Sequence, residues 1–205
     1  VTLEIFDCEQ GSDEWFKCRL GTPSASNFAT IMAKGRDGKS PSLTRKTYLY
    51  KLAGEIITGK PSSNYKNAAM ERGNEMEAEA AAHYAFTRDV ELTQIGFAKR
   101  GQMGCSPDRL IADEGGLEIK TAEAHILIEH MFRDDIPPEH VAQVQGTLMI
   151  LERPWWDTII YWPDITPPVF RSVPDRAYQA NLKGEIDRFN DELAAVVERV
   201  RAYGA

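Results

Sequence analysis

Residues 103–121 read Met103-Gly104-Cys105-Ser106-Pro107-Asp108-Arg109-Leu110-Ile111-Ala112-Asp113-Glu114-Gly115-Gly116-Leu117-Glu118-Ile119-Lys120-Thr121. Two apolar runs, 103–112 and 117–121, flank the turn Asp113-Glu114-Gly115-Gly116, the pattern of a strand, a tight turn and a returning strand. Strand residues two apart share a face, so Glu118 and Lys120 point together, and a hairpin brings Asp108 beside them. Two carboxylates at one point make a hard, anionic oxygen site suited to Mg²⁺ or Mn²⁺. A lysine beside it can orient or deprotonate a water, or balance charge building on a phosphate. Glu-x-Lys alone is common on charged strand edges. Pro-Asp, nine residues, then Glu-Ile-Lys across a strand–turn–strand is far more specific.

Working outward, the apolar period changes on both sides of this stretch. The spacing predicts a strand over 90–99 before it, and strands over 157–162 and 169–173 after it. Helices are expected over 13–20 and 25–32, with Ser12 and Ser24 as N-caps, then over 44–58 and 67–88. Two more are expected over 123–133 and 139–151, and a final amphipathic one follows Pro174 to about residue 201. Residues 33–42, with Gly35, Gly38 and Pro41, read as a basic loop. The sum is an α/β chain with a mixed central β-sheet flanked by helices. It reads as one domain over 1–205: a helical part 10–88, a sheet 90–173 that carries the acidic pattern, and a C-terminal helix 175–203.

Composition narrows the class. With 42% hydrophobic and 27% charged residues the chain is globular, not disordered or fibrous. At 205 residues it buries roughly 70% of its unfolded surface. No apolar run is long enough to cross a membrane, and no basic stretch and apolar run of a signal peptide opens the sequence. Cys8, Cys18 and Cys105 form no CxxC pair, which excludes a zinc knuckle or cysteine-bound cluster. They read as reduced thiols of a cytoplasmic protein. The net charge is −7, but residues 34–66 hold eight basic and two acidic side chains, whereas 67–139 hold seven basic and fifteen acidic ones. A basic arm beside an acidic centre suits an enzyme that grips a polyanion and places cations on it.

The Pro-Asp…Glu-x-Lys pattern resembles the PD-(D/E)xK nuclease superfamily. Further blocks narrow the likeness: Trp15 followed by Arg19-Leu20-Gly21, then Ser24-Ala25-Ser26; Arg72-Gly73-Asn74-Glu75-Met76-Glu77; and Val141-Ala142-Gln143-Val144-Gln145-Gly146. In this order and spacing they resemble the lambda-exonuclease, or YqaJ-like viral recombinase, family. The resemblance implies that Asp108 and Glu118 bind the catalytic Mg²⁺ (or Mn²⁺), helped by the carbonyl of Ile119. Glu77 then reaches a second ion shared with Asp108, giving two ions per site. Lys120 acts on the attacking water, and Gln143 positions that water or Lys120. Arg19, Ser26 and Ser106 take the terminal 5′-phosphate, Arg36 contacts the duplex ahead of the cut, and Met70 is an apolar wedge between the last base pairs. Glu71 and Arg72 stand where the family has a small and an aromatic residue. Helix periodicity puts Glu71, Glu75 and Glu79 on one face, with Glu77 pointing elsewhere, so the choice of Glu77 rests on the resemblance.

The implied activity is a Mg²⁺-dependent 5′→3′ double-strand DNA exonuclease that releases mononucleotides and leaves a 3′ single-stranded tail. The implied assembly is a homotrimer ring threaded on DNA, from a phage or prophage, with a single-strand annealing protein as partner. Two rivals remain on sequence: an endonuclease of the same superfamily, and a catalytically silent DNA-binding module. His83, His125, His130 and His140 lack metal-ligand spacing and read as packing or surface residues. Only His140, one turn before Gln143, falls near the site.

Overall fold

A computed structural model of the chain describes residues 1–62, 68–133 and 135–203, and of 68–75 the backbone alone. In chain order the elements are β1 (Leu3–Phe6), α1 (Asp13–Arg19), a 3₁₀ turn (Ala25–Asn27), α2 (Phe28–Met32), α3 (Leu43–Thr58) and α4 (Ala68–Arg88). Then come β2 (Leu92–Thr93), β3 (Phe97–Arg100), β4 (Met103–Cys105), β5 (Arg109–Ile111) and β6 (Gly115–Thr121). The chain closes with α5 (Ala124–Met131), α6 (Pro138–Leu151), β7 (Trp156–Tyr161), β8 (Val169–Ser172) and α7 (Arg176–Arg201).

The central sheet has five strands in the order β2-β5-β6-β7-β8. It is mixed, because β6 and β7 run parallel and the other neighbours antiparallel. The α5–α6 pair is the crossover that a parallel β6–β7 pairing requires. Strand β6 shows why this sheet holds a site. Leu117 and Ile119 pack with Ala80, Ala81 and Tyr84 of α4 on one face, while Glu118 and Lys120 turn to the other face and meet Gln143 of α6. The larger core lies on that second side, built from α2, α3, α6, α7 and Trp156. Helix α6 approaches α2 so closely that a Cβ on Gly146 would lie 2.3 Å from the Phe28 ring.

Two expected strands are broken. The run 103–112 splits at Ser106-Pro107-Asp108 into β4 and β5, and 90–99 splits near Gly96 into β2 and β3. A second, three-stranded antiparallel sheet, β1-β3-β4, takes one half of each. Pro107 has no N–H for a ladder, and its carbonyl accepts instead from Gln10 Nε2 at 2.9 Å. At Gly96 a Cβ would sit 2.3 Å from the Cys8 carbonyl oxygen, so the chain crosses the loop after β1 only where a side chain is missing. Asp108 therefore stands just before β5 rather than within a long strand. Among the described residues, no helix is long and apolar enough to cross a membrane.

Candidate active site

Strands β5 and β6 pair Arg109 with Leu117, and one further step along that register sets Asp108 opposite Glu118. Asp108 Oδ2 accepts from the Ile119 N–H at 2.6 Å, which ties its carboxylate to the edge of β6. Glu118 is 2% exposed. Its Oε1 accepts from Lys120 Nζ at 2.7 Å and from Gln143 Nε2 at 2.6 Å. Among the described residues its Oε2 is buried with no hydrogen-bond partner. A buried carboxylate oxygen left unpaired is costly, and a hard cation is the partner that best fits it.

Burial, then the negative charges of Glu118 and Glu77, push the Asp108 carboxyl well above its ordinary range, against the opposing pull of the Ile119 N–H and Lys120. Burial alone would lower the Lys120 ammonium. Glu118, by charge and hydrogen bond, together with Asp108 and Glu77, outweighs it, and Lys120 ends above its ordinary value. Lys120 also donates to Gln143 Oε1 at 3.1 Å, so Glu118, Lys120 and Gln143 form a closed triangle.

Glu77 is drawn near this cluster from α4, but its Oε1 pairs with Arg109 Nη1 at 2.9 Å. Among the described residues no three His, Cys, Asp or Glu side chains converge on one point. The donor set is thus two carboxylates beside the Ile119 backbone, with Glu77 held by Arg109. Arg109 escaped sequence reading because its ion pair joins two elements far apart in the chain. Glu79 is exposed on α4 and meets Tyr161. His140 is half-buried, and burial followed by the charge of Lys120 lowers its pKa.

A second cluster lies two residues upstream. Arg19, at the end of α1, donates to Ser106 Oγ at 3.0 Å and to Ser24 Oγ at 3.4 Å. Ser24 and Ser26 hydroxyls are 3.2 Å apart, and Asn27 Nδ2 reaches both at 3.3 Å. The Arg19 guanidinium lies over the Trp15 ring, 3.9 Å from its centroid, and Trp15 Nε1 donates to Ser106 Oγ at 2.9 Å. Burial lowers the Arg19 pKa. Among the described residues no carboxylate lies within ion-pair distance of it. A half-buried cation ringed by hydroxyls is built for an oxyanion.

Ser24 and Ser26 reach this spot because the parallel bridge Ser24↔Gly104 sutures their segment to β4. Ser24, expected as an N-cap, makes no side-chain cap bond; its oxygen serves Arg19 instead. Trp15 was legible as the i,i+4 neighbour of Arg19, but its floor role depends on Ser106, ninety-one positions away.

Arg36 is exposed in the turn between α2 and α3, apart from both clusters. The side chains of Met70, Glu71, Arg72 and Glu75 lie outside the described residues.

A model of the YqaJ-like viral recombinase domain matches residues 14–154, well over half of the chain. The chain belongs to that family. An alkaline exonuclease, LHK-Exo, from Laribacter hongkongensis is 30% identical, with a TM-score of 0.83 over 93% of this chain and 96% of that one. The same relative in complex with dAMP gives a TM-score of 0.82 at 30% identity and the same coverage. A phage related exonuclease from Haemophilus somnus 129PT, 12% identical, shares the fold at a TM-score of 0.64 over 87% of this chain and 96% of that one. No curated protein matches the chain. This family member is thus alkaline-exonuclease-like, with the mixed α/β architecture of the PD-(D/E)xK nucleases.

Proposed function

We propose that the chain is a Mg²⁺-dependent 5′→3′ exonuclease of double-stranded DNA, releasing 5′-mononucleotides and leaving a 3′ single-stranded tail. The observation that carries this reading is the spacing of the two clusters. Ser106 belongs to the cation–hydroxyl pocket and Asp108 to the carboxylate pair, and residues two apart in an extended chain are about 7 Å apart. That is comparable to one backbone step of a DNA strand. A terminal 5′-phosphate in the pocket sets the next phosphodiester at the carboxylates. The complex of the Laribacter relative with dAMP supports a product of this size.

Asp108, Glu118 and the Ile119 carbonyl would hold Mg²⁺, or Mn²⁺, with Glu77 and Asp108 sharing a second ion. Bound there, the ions would polarise the phosphate and lower the pKa of a water. Lys120, held by Glu118 and Gln143, would keep one N–H donor for that water or a phosphate oxygen. Gln143 fixes both Glu118 and Lys120, so it orients the pair without itself carrying charge. Arg19 and the Ser24, Ser26 and Ser106 hydroxyls bind the end, and Arg36 reaches the duplex ahead of it. The same reading includes a homotrimer ring, a single-strand annealing protein as partner in phage-type recombination, and a bacterial cytoplasmic setting.

The test is digestion of linear and closed circular duplex with Mg²⁺ and with EDTA. Mononucleotides from the linear form alone, and only with Mg²⁺, are expected. Cutting of the closed circle would overturn the end-dependent reading in favour of an endonuclease. No cutting of either form would leave a DNA-binding module.

A further inference from the structure

The loop 33–42 is built as a finger. Its stem closes through the antiparallel bridge Lys34↔Pro41, with Ser42 N–H donating to the Ala33 carbonyl at 3.1 Å and Gly35 N–H to the Ser40 carbonyl at 2.7 Å. The tip folds around Asp37, whose Oδ1 accepts from the Lys39 and Ser40 N–H groups at 2.9 and 3.0 Å. Its Oδ2 accepts from the Ser40 hydroxyl. Arg36 and Lys39 are exposed at this tip. Among the described residues neither has a carboxylate within ion-pair distance.

Both feet of the finger are bolted to the same helix. On the incoming side, Lys34 Nζ donates to Glu185 Oε1 at 3.1 Å, and Arg188 holds the same oxygen at 2.7 Å. On the outgoing side, Arg45, 4% exposed, makes a forked pair with Glu192 at 2.6 and 3.0 Å. Its Nε donates to the Ile31 carbonyl at 3.1 Å, so one guanidinium ties α2, α3 and α7 together. The Phe189 ring lies 5.2 Å beneath it. Glu185, Phe189 and Glu192 are spaced four and three apart, which sets them on one stripe of α7. A guanidinium this buried is tolerated only when paired, so the Arg45–Glu192 fork holds one geometry.

We propose that Glu185 and Glu192 are positioning residues for DNA: by fixing both feet of the finger they pre-order Arg36 and Lys39 toward the duplex backbone. The inference rests on the reading that this loop meets DNA. Its physical content is preorganisation. A floppy ten-residue loop gives up conformational freedom when it binds, whereas an anchored one has already done so. The C-terminal helix thereby acts on substrate binding without touching substrate.

The experiment measures KM and kcat on a linear 5′-phosphorylated duplex over a salt series, for Glu185→Gln, Glu192→Gln and Arg36→Ala, and for each Glu variant combined with Arg36→Ala. Thermal midpoints are recorded to show that each variant is folded. The inference expects each Glu variant to raise KM several-fold at unchanged kcat and to flatten the salt dependence by about one phosphate contact. Combined with Arg36→Ala, each should add less than it does alone, because only Lys39 is then left for the anchoring to act through. Glu185→Gln serves should Glu192→Gln fail to fold. A raised KM in Arg36→Ala with wild-type KM in folded Glu185→Gln would overturn the anchoring and leave the loop–DNA reading intact. An unchanged KM and salt slope in Arg36→Ala would overturn that reading and the anchoring with it.

Discussion

Asp108 sits where folding and chemistry disagree. Its carboxylate is set against Glu118 and near Glu77, in surroundings that penalise charge, with Lys120 and one backbone N–H opposing the repulsion. An apolar or neutral replacement should relieve that conflict, as at other sites where function opposes stability. Asp108→Asn is expected to raise stability in EDTA by about 0.5–2 kcal/mol while abolishing cleavage, read by thermal unfolding and a nuclease assay on the same preparation. A loss of stability would mean that Asp108 is a structural acceptor for Ile119 first. At this scale the convergence of Asp108, Glu118 and Lys120 was legible from residue type and spacing. Glu77 is reached through the family resemblance alone, because α4 periodicity favours Glu71, Glu75 and Glu79 as a face, and the pairing of Glu77 with Arg109 arises only when α4 docks on the sheet.

Among the elements, β6 was the easiest to read and the segments around it the hardest. Alternation along Leu117, Glu118, Ile119 and Lys120 survives intact because the two faces of β6 meet different partners, α4 and α6. The runs 90–99 and 103–112 look continuous because apolar composition does not record which sheet a residue joins. The breaks come from Pro107, which cannot donate to a ladder, and Gly96, which passes under the Cys8 carbonyl. β1 is four residues long, too short for its alternation to stand out. Helix α6 carries Gln143 to Glu118 and Lys120 only because Gly146 lets it settle against Phe28. Gly146→Ala would bring a methyl to 2.3 Å from that ring, and overpacking of this kind costs about 1–3 kcal/mol. Denaturant unfolding should show that loss together with weakened cleavage, since the Gln143 bonds move with the helix.

For the whole molecule, the Ser106-Pro107-Asp108 link sets the Arg19 pocket two residues from the acidic cluster on the central sheet. The net charge of −7 disfavours broad adhesion to DNA. It places the burden of binding on local features: the Arg19 pocket, the anchored finger, and in the proposed assembly a ring that holds DNA by enclosure. Breaking the pocket should therefore cost end recognition before it costs chemistry.

The most direct measurement compares release of the first nucleotide from duplexes bearing a 5′-phosphate or a 5′-hydroxyl, for the wild type and for Arg19→Ala. The account predicts that the wild type strongly prefers the phosphorylated end, and that Arg19→Ala loses most of the preference by a fall on that end alone. Equal rates on both ends in the wild type, or a preference that persists undiminished without Arg19, would contradict it.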